Sequence, residues 1–142
     1  MQDPRWQELT ERECRSLLAG AHLGRIAVVE SGRPLIFPVN YVLDGTDVVF
    51  RTDSGSKLYA AALGEQVAFE VDGINPADRT GWSVLIRGAA EYVTDPGRLN
   101  KLRSLPLVPW APGAKPHYVR INSGQVSGRR ISVADLPSTW WG

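Results

Sequence analysis

At Gly24 the apolar spacing changes from a helical to a strand-like period, and most of the chain beyond it keeps the second period. Before the change, Cys14, Leu17, Leu18 and Ala21 fall at i, i+3, i+4 and i+7, one face of a short helix. Thr10 and Glu13 make a capping box at its start, Leu9 and Cys14 occupy the staple positions, and the helix is expected to end between Gly20 and Gly24. After the change, strands are predicted at 25–30, 35–43 and 47–52, an antiparallel meander punctuated by Ser31-Gly32-Arg33-Pro34 and Asp44-Gly45-Thr46. Pro38 has no N–H for a ladder, so its strand lies at an edge or bulges there. Val67, Phe69 and Val71 alternate with Ala68, Glu70 and Asp72 in a strand at 66–72. Residues 73–81 read as a polar loop, 82–93 as a long strand, and 117–122 with 125–133 as a closing hairpin or strand pair. Helices are predicted at 54–63, capped by Asp53 or Ser54 and stopped by Gly64, and at 95–104. Residues 105–116 form a connector with four prolines around Trp110. Six or seven strands with two or three short helices fit a mainly β chain, a small antiparallel barrel with helices at its ends.

Length and charge narrow the function. With 142 residues a single domain is expected over 1–142, its core at 8–133 and a tail at 134–142. Sixteen Lys and Arg against fifteen Asp and Glu leave +1, no bulk bias towards nucleic acid or an anionic membrane. No apolar run approaches the roughly 20 residues of a membrane span, and residues 1–13 are polar, so a cytoplasmic protein is expected. Cys14 stands alone, which excludes an internal disulfide and multi-cysteine metal patterns, and His22 and His117 are too few to expect a protein-held metal. Gly-x-Ser-x-Gly, His-Glu-x-x-His, Walker and Gly-x-Gly-x-x-Gly patterns are absent. Any chemistry is therefore expected to come from a cofactor.

Two segments could hold one. In Phe50-Arg51-Thr52-Asp53-Ser54-Gly55-Ser56-Lys57-Leu58 a strand runs into a helix start, where orphan amides favour an anion. Ser54 and Ser56 add hydroxyls, Gly55 allows close approach, and Arg51 and Lys57 add charge, a set suited to a phosphate. The same residues also read as a plain turn and cap. In Phe37-Pro38-Val39-Asn40-Tyr41 the amide of Asn40 interrupts an apolar strand and could meet a heterocycle edge or satisfy a bulge. Trp82-Ser83 and Trp110 offer flat indole surface, and Arg120 is the best further arginine for a ligand contact. Tyr41, Phe50 and Trp82 among scattered basic residues also suit an oligonucleotide-binding barrel, but the charge balance argues against it. His22, beside a helix end, reads as a C-terminal cap before it reads as a haem ligand.

The succession of Gly24-Arg25-Ile26-Ala27, Phe37–Tyr41, Phe50-Arg51-Thr52 through Ser56-Lys57-Leu58, Val67–Asp72, and Gly81-Trp82-Ser83-Val84 through Arg87-Gly88 resembles pyridoxamine 5′-phosphate oxidase-like flavin-binding proteins. The likeness is to the small actinobacterial, nitroimidazole-resistance-like branch and spans roughly 8–133. It implies an antiparallel split β-barrel working as a homodimer, with FMN in grooves between subunits. It implies that Arg51, Ser56 and Lys57 hold the FMN phosphate, with Thr52 and Ser54 nearby. It sets the Pro38, Val39, Asn40 and Tyr41 backbone and Phe50 along the isoalloxazine. Trp82 and Ser83 would reach the site from the partner chain, and Trp110 and Arg120 would close the groove. The chain is shorter than true pyridoxamine phosphate oxidases, and residues 136–142 lack their Arg-rich substrate-binding terminus, so oxidation of vitamin B6 phosphates is not expected. The branch also includes users of the deazaflavin coenzyme F420. The implied activity is hydride transfer between a reduced nicotinamide or deazaflavin and a small conjugated acceptor. The alternative is a non-catalytic protein that binds or stores flavin, deazaflavin or haem.

Overall fold

The computed structural model describes residues 6–53, 55–62, 64–122 and 124–132. Eight strands and three helices follow in the order β1 (Trp6–Glu8), α1 (Glu11–Gly20), β2 (Leu23–Glu30), β3 (Arg33–Asp44), β4 (Asp47–Thr52), α2 (Lys57–Ala62), β5 (Gln66–Asn75), β6 (Thr80–Tyr92), α3 (Pro96–Arg103), β7 (His117–Ile121) and β8 (Gln125–Ile131). All the pairings are antiparallel, in the spatial order β1-β8-β6-β5-β2-β3-β4-β7, and a β6–β7 pairing closes six of the strands into a barrel. This is the split barrel that the resemblance implies.

Two long strands make the split by changing partners along their length. Residues Arg33–Asn40 of β3 pair with β2, whereas Tyr41–Asp44 pair with β4. Pro38 sits in the first half, opposite Arg25, where the ladders leave the second edge of the strand uncovered. Its missing N–H therefore costs no ladder bond there, the edge alternative of the two expected. In β6, Gly81–Arg87 pair with β8 and Ala90–Tyr92 pair with β7. Gly88 lies at the handover, and a Cβ there would overlap the Asn122 carbonyl, so only glycine lets the chain from β7 cross so close.

The core follows the period-two pattern. Ile26 and Val28, Val48 and Phe50, Phe69 and Val71, Val84 and Ile86, and Ile121 are buried inside, each side chain contributing about 1.5–3 kcal/mol relative to exposure. Tyr41 meets Phe69 edge to face, with centroids 5.1 Å apart. Gly24 lies so close under the Phe69 ring that a side chain there would overlap it. Helix α1 has the expected capping box, Thr10 N donating to Glu13 Oε1 and Glu13 N to Thr10 Oγ1, both at 3.1 Å. A second cluster of Val49, Leu102, Leu107 and Tyr118 ties α3 and the proline-rich connector to the outside of β4 and β7.

Three expectations are corrected and one strand is added. The polar composition of 73–81 conceals a hairpin: β5 runs to Asn75, β6 starts at Thr80, and Asp78 Oδ1 accepts from Thr80 N at 3.1 Å to hold the turn. Helix α2 begins at Lys57, where Ser56 rather than Asp53 caps it, its Oγ accepting from Tyr59 N at 3.0 Å, and Ser54, the other expected cap, lies outside the described residues. The strands at 117–121 and 125–131 form no hairpin with each other, and both pair with β6. Trp6–Glu8 is an added strand on β8, too short to announce itself by periodicity. Among the described residues no helix is long and apolar enough to cross a membrane.

Candidate functional site

Where β3 changes partner, its uncovered edge, the end of β4 and the connector after α3 enclose a cleft of about 180 Å³. Phe37, Pro38, Val39 and Asn40 line one side, Arg51, Thr52, Asp53, Ser56 and Leu58 the floor, and Pro109, Ala111 and Lys115 the far wall. Both segments singled out in the sequence thus meet in one place, although residues 40 and 51 belong to different strands.

The floor is tightly cross-bonded. Thr52, buried at 3% exposure, has its hydroxyl 3.0 Å from that of Ser56. Ser56 Oγ also donates to Asp53 O at 3.0 Å, and Asp53 Oδ1 accepts from Gly55 N at 2.7 Å. The plain turn-and-cap reading is therefore real, and a ligand anion would share the Ser56 hydroxyl with these partners. Arg51 donates from Nε to the Lys115 carbonyl at 2.9 Å, and its guanidinium carbon lies 5.4 Å from the centroid of the Tyr118 ring. The main-chain and aromatic contacts fix the head of this arginine at the cleft without neutralising it, so it keeps a full positive charge there. Ser54 lies outside the described residues. Lys57 opens α2, but its side chain also lies outside them.

Asn40 is spoken for on both sides. Its Nδ2 donates to the His22 carbonyl at 3.4 Å, and its Oδ1 accepts from Trp110 N at 2.8 Å. Trp110 thereby stands beside the cleft with its residue 71% exposed. Tyr41 and Phe50 put their side chains into the barrel core and are not among the residues that line the cleft. Burial pushes the Tyr41 phenol up to about 12, so it stays a neutral donor, bonding the Leu18 carbonyl at 2.5 Å.

Three sequence candidates stand elsewhere in this chain. Trp82 lines a separate hollow with Gly73, Ile74, Thr80, Gly81 and Arg130 near the β5–β6 hairpin, and Ser83 is its neighbour on β6. Arg120 bridges Asp47 Oδ2 at 3.1 Å and Glu91 Oε2 at 2.9 Å, an ion-pair network joining β4, β6 and β7 outside the cleft lining. That network and its hydrogen bond to Glu91 hold the guanidinium more firmly protonated than usual. Sequence reasoning missed Pro109, Ala111 and Lys115 as lining residues, and it held Phe37, Asp53 and Leu58 only as members of the two singled-out segments without a ligand role. Lys115 takes part through its main-chain carbonyl, which no residue type announces. No metal-holding cluster of His, Cys, Asp and Glu is found among the described residues.

Comparison with known proteins matches residues 10–130 to the family model described as pyridoxamine 5′-phosphate oxidase. An uncharacterized protein of Mycobacterium tuberculosis, Rv0080, is 37% identical over 133 residues, covering 90% of this chain and 86% of its own. Among solved structures, the FAD binding protein from Mycobacterium smegmatis is similar at TM-score 0.79 with 36% identity, covering 89% of this chain and 98% of that one. A FAD-binding protein from Mesorhizobium loti aligns at TM-score 0.68 with 27% identity, covering 89% and 99%.

Proposed function

The chain belongs to the pyridoxamine 5′-phosphate oxidase family, and from that premise we propose that its cleft holds the phosphate end of a flavin nucleotide for hydride transfer to a small conjugated acceptor. The observation that carries the proposal is the convergence of Arg51, Thr52 and Ser56 with the uncovered edge of β3 in one cleft. The guanidinium of Arg51 suits a phosphate oxygen by charge and fork geometry. The hydroxyls of Thr52 and Ser56 already sit 3.0 Å apart and can turn a donor towards an anion. The open backbone of 37–40 offers main-chain groups to the polar edge of a flat ring, and Phe37, Pro38 and Val39 offer apolar contact. FMN is the ligand expected from the resemblance, and the mycobacterial relative's FAD supports a flavin in general. Coenzyme F420 would use the same phosphate contacts.

One chain supplies about 180 Å³, less than the roughly 300 Å³ at which small-molecule pockets begin. This supports a homodimer in which the second copy completes the groove and brings Trp82 and Ser83 to it. The bound flavin would supply the redox chemistry. The protein's share is to fix the phosphate, orient the ring and shield one face. A carrier without turnover is favoured by one observation: among the described lining residues the only carboxylate, Asp53, is engaged by Gly55 N.

Titration of the purified protein with FMN and, separately, with F420, followed by cofactor fluorescence and by turnover with a reduced nicotinamide, tests the proposal. Micromolar binding of either with turnover of an electron acceptor is expected. Binding without turnover selects the carrier, and no binding of FMN, of F420 or of FAD titrated in the same way refutes the flavin reading.

A further inference from the structure

The connector between α3 and β7 is fastened over the cleft at three points of different kinds. Leu107 is buried, at 6% exposure, in the small cluster with Val49, Leu102 and Tyr118. Three residues on, the Trp110 N–H is held by Asn40 Oδ1 at 2.8 Å. Five residues further, the Lys115 carbonyl is held by Arg51 Nε at 2.9 Å. Between these points Pro109 and Ala111 form the cleft wall, while Val108 and Trp110, 72% and 71% exposed, face outwards. Prolines at 106, 109, 112 and 116 restrict the backbone of the segment, which bends at 110–113, and lower the entropy lost in fixing it. The two hydrogen-bonding clamps come from the side and the floor of the cleft, Asn40 on β3 and Arg51 on β4.

We propose that residues 107–115 are a strap that retains the bound cofactor, and that the Asn40 side chain is a positioning group which acts on the cofactor by holding this strap at Trp110. The inference rests on the flavin reading of the cleft and gives Asn40 a role different from ring contact. Its amide oxygen accepts from the Trp110 N–H and its amide nitrogen faces the His22 carbonyl, so both ends of the side chain are tied to the fold and its orientation is fixed. Loss of the clamp should free the wall formed by Pro109 and Ala111 and speed release of a ligand beneath it. Arrival should be little changed, because a loosened wall does not obstruct entry.

The test combines amide exchange of Trp110 by NMR with stopped-flow rates for FMN in the full-length protein. Asn40→Ala should abolish the slow exchange of the Trp110 amide and raise the FMN release rate about five- to tenfold, the worth of a single hydrogen bond. The association rate should stay within about twofold, because affinity changes of this kind fall mainly on release. Leu107→Ala, which touches neither cofactor nor Asn40, should reproduce the faster release. Asn40→Asp keeps an acceptor for the Trp110 N–H and should restore slow exchange and slow release. Unchanged release in both Asn40→Ala and Leu107→Ala, with the wild-type protein binding FMN, overturns the strap alone. Failure of the wild-type protein to bind FMN overturns the strap and removes FMN from the cleft.

Discussion

Around Ser56 the polar groups answer one another within a few residues, whereas on the outer face of β2 and β5 a single guanidinium answers two carboxylates. In the first region Thr52, Asp53, Gly55, Ser56 and Tyr59 are linked by short bonds of 2.7–3.0 Å. In the second, Arg25 Nη1 lies 3.3 Å from Asp72 Oδ2 and 3.5 Å from Glu70 Oε1, and that Glu70 oxygen is buried without a hydrogen bond. Leu85 lies opposite Glu70 on β6 and offers it no polar partner. Burial first, then the hydrogen bond and charge of Asp72, push the Glu70 carboxyl up to about 7 despite Arg25. The first arrangement is preorganised by short local bonds. The second is under-neutralised and responds to protons near neutrality.

Both regions stand on the same interior, and the largest effect comes from removing it. Phe69→Ala should cost about 3–5 kcal/mol, measured by urea unfolding, since Phe69 is fully buried against Tyr41 and Gly24. It should loosen the cleft and the carboxylate pair together. Arg51→Ala should separate them: FMN affinity should fall about 10- to 100-fold, the range for a hydrogen bond to a charged group, with Glu70 unaffected. Equal affinity in the variant would remove Arg51 from the phosphate site. Ser56→Ala should lower stability by about 1 kcal/mol through loss of the α2 cap, and it should weaken FMN binding as well. A stability loss with unaltered binding would leave Ser56 a cap only.

The smallest effect distinguishes the regions by pH. Glu70 has a folded value raised from 4.5 to about 7, so the folded chain keeps a proton that the unfolded chain releases. Its contribution is fully present below about pH 4.5 and is lost as pH rises through about 7. The urea midpoint of the wild-type protein should therefore be lower at pH 8 than at pH 5.5 by more than that of Glu70→Gln. Equal pH dependence in the two proteins would show that Glu70 does not titrate in this range.

The barrel was legible because its interior positions repeat at two and its turns carry Gly, Asp and Pro in the right places. The α1 capping box could be read to the residue, since a local motif fixes it without tertiary help. The hairpin at 73–81 was hidden because an exposed strand tip with two glycines has the composition of a loop. The pairing of β7 and β8 was misread because closeness in sequence suggests a hairpin, while β6 offers both of them the same edge. At the site, Arg51 and Ser56 were legible by residue type, while Thr52 and the grouping with β3 came only with the resemblance. The strap was not legible, because its fastenings use the backbone of Trp110 and Lys115. On the strap proposal Asn40 becomes a fastening, since a carboxamide that could meet a heterocycle serves a neighbouring N–H equally well.

The handover at Gly88 has a kinetic consequence. One edge of β6 receives β7 and β8 from a single stretch of chain, with only residues 122–124 between them. A slip of one residue in either strand would displace the other, so neither can search for its alignment alone. Ring closure and the docking of the outer ribbon thus form one cooperative unit, and the amides of 81–87 and 90–92 should become exchangeable in the same opening event.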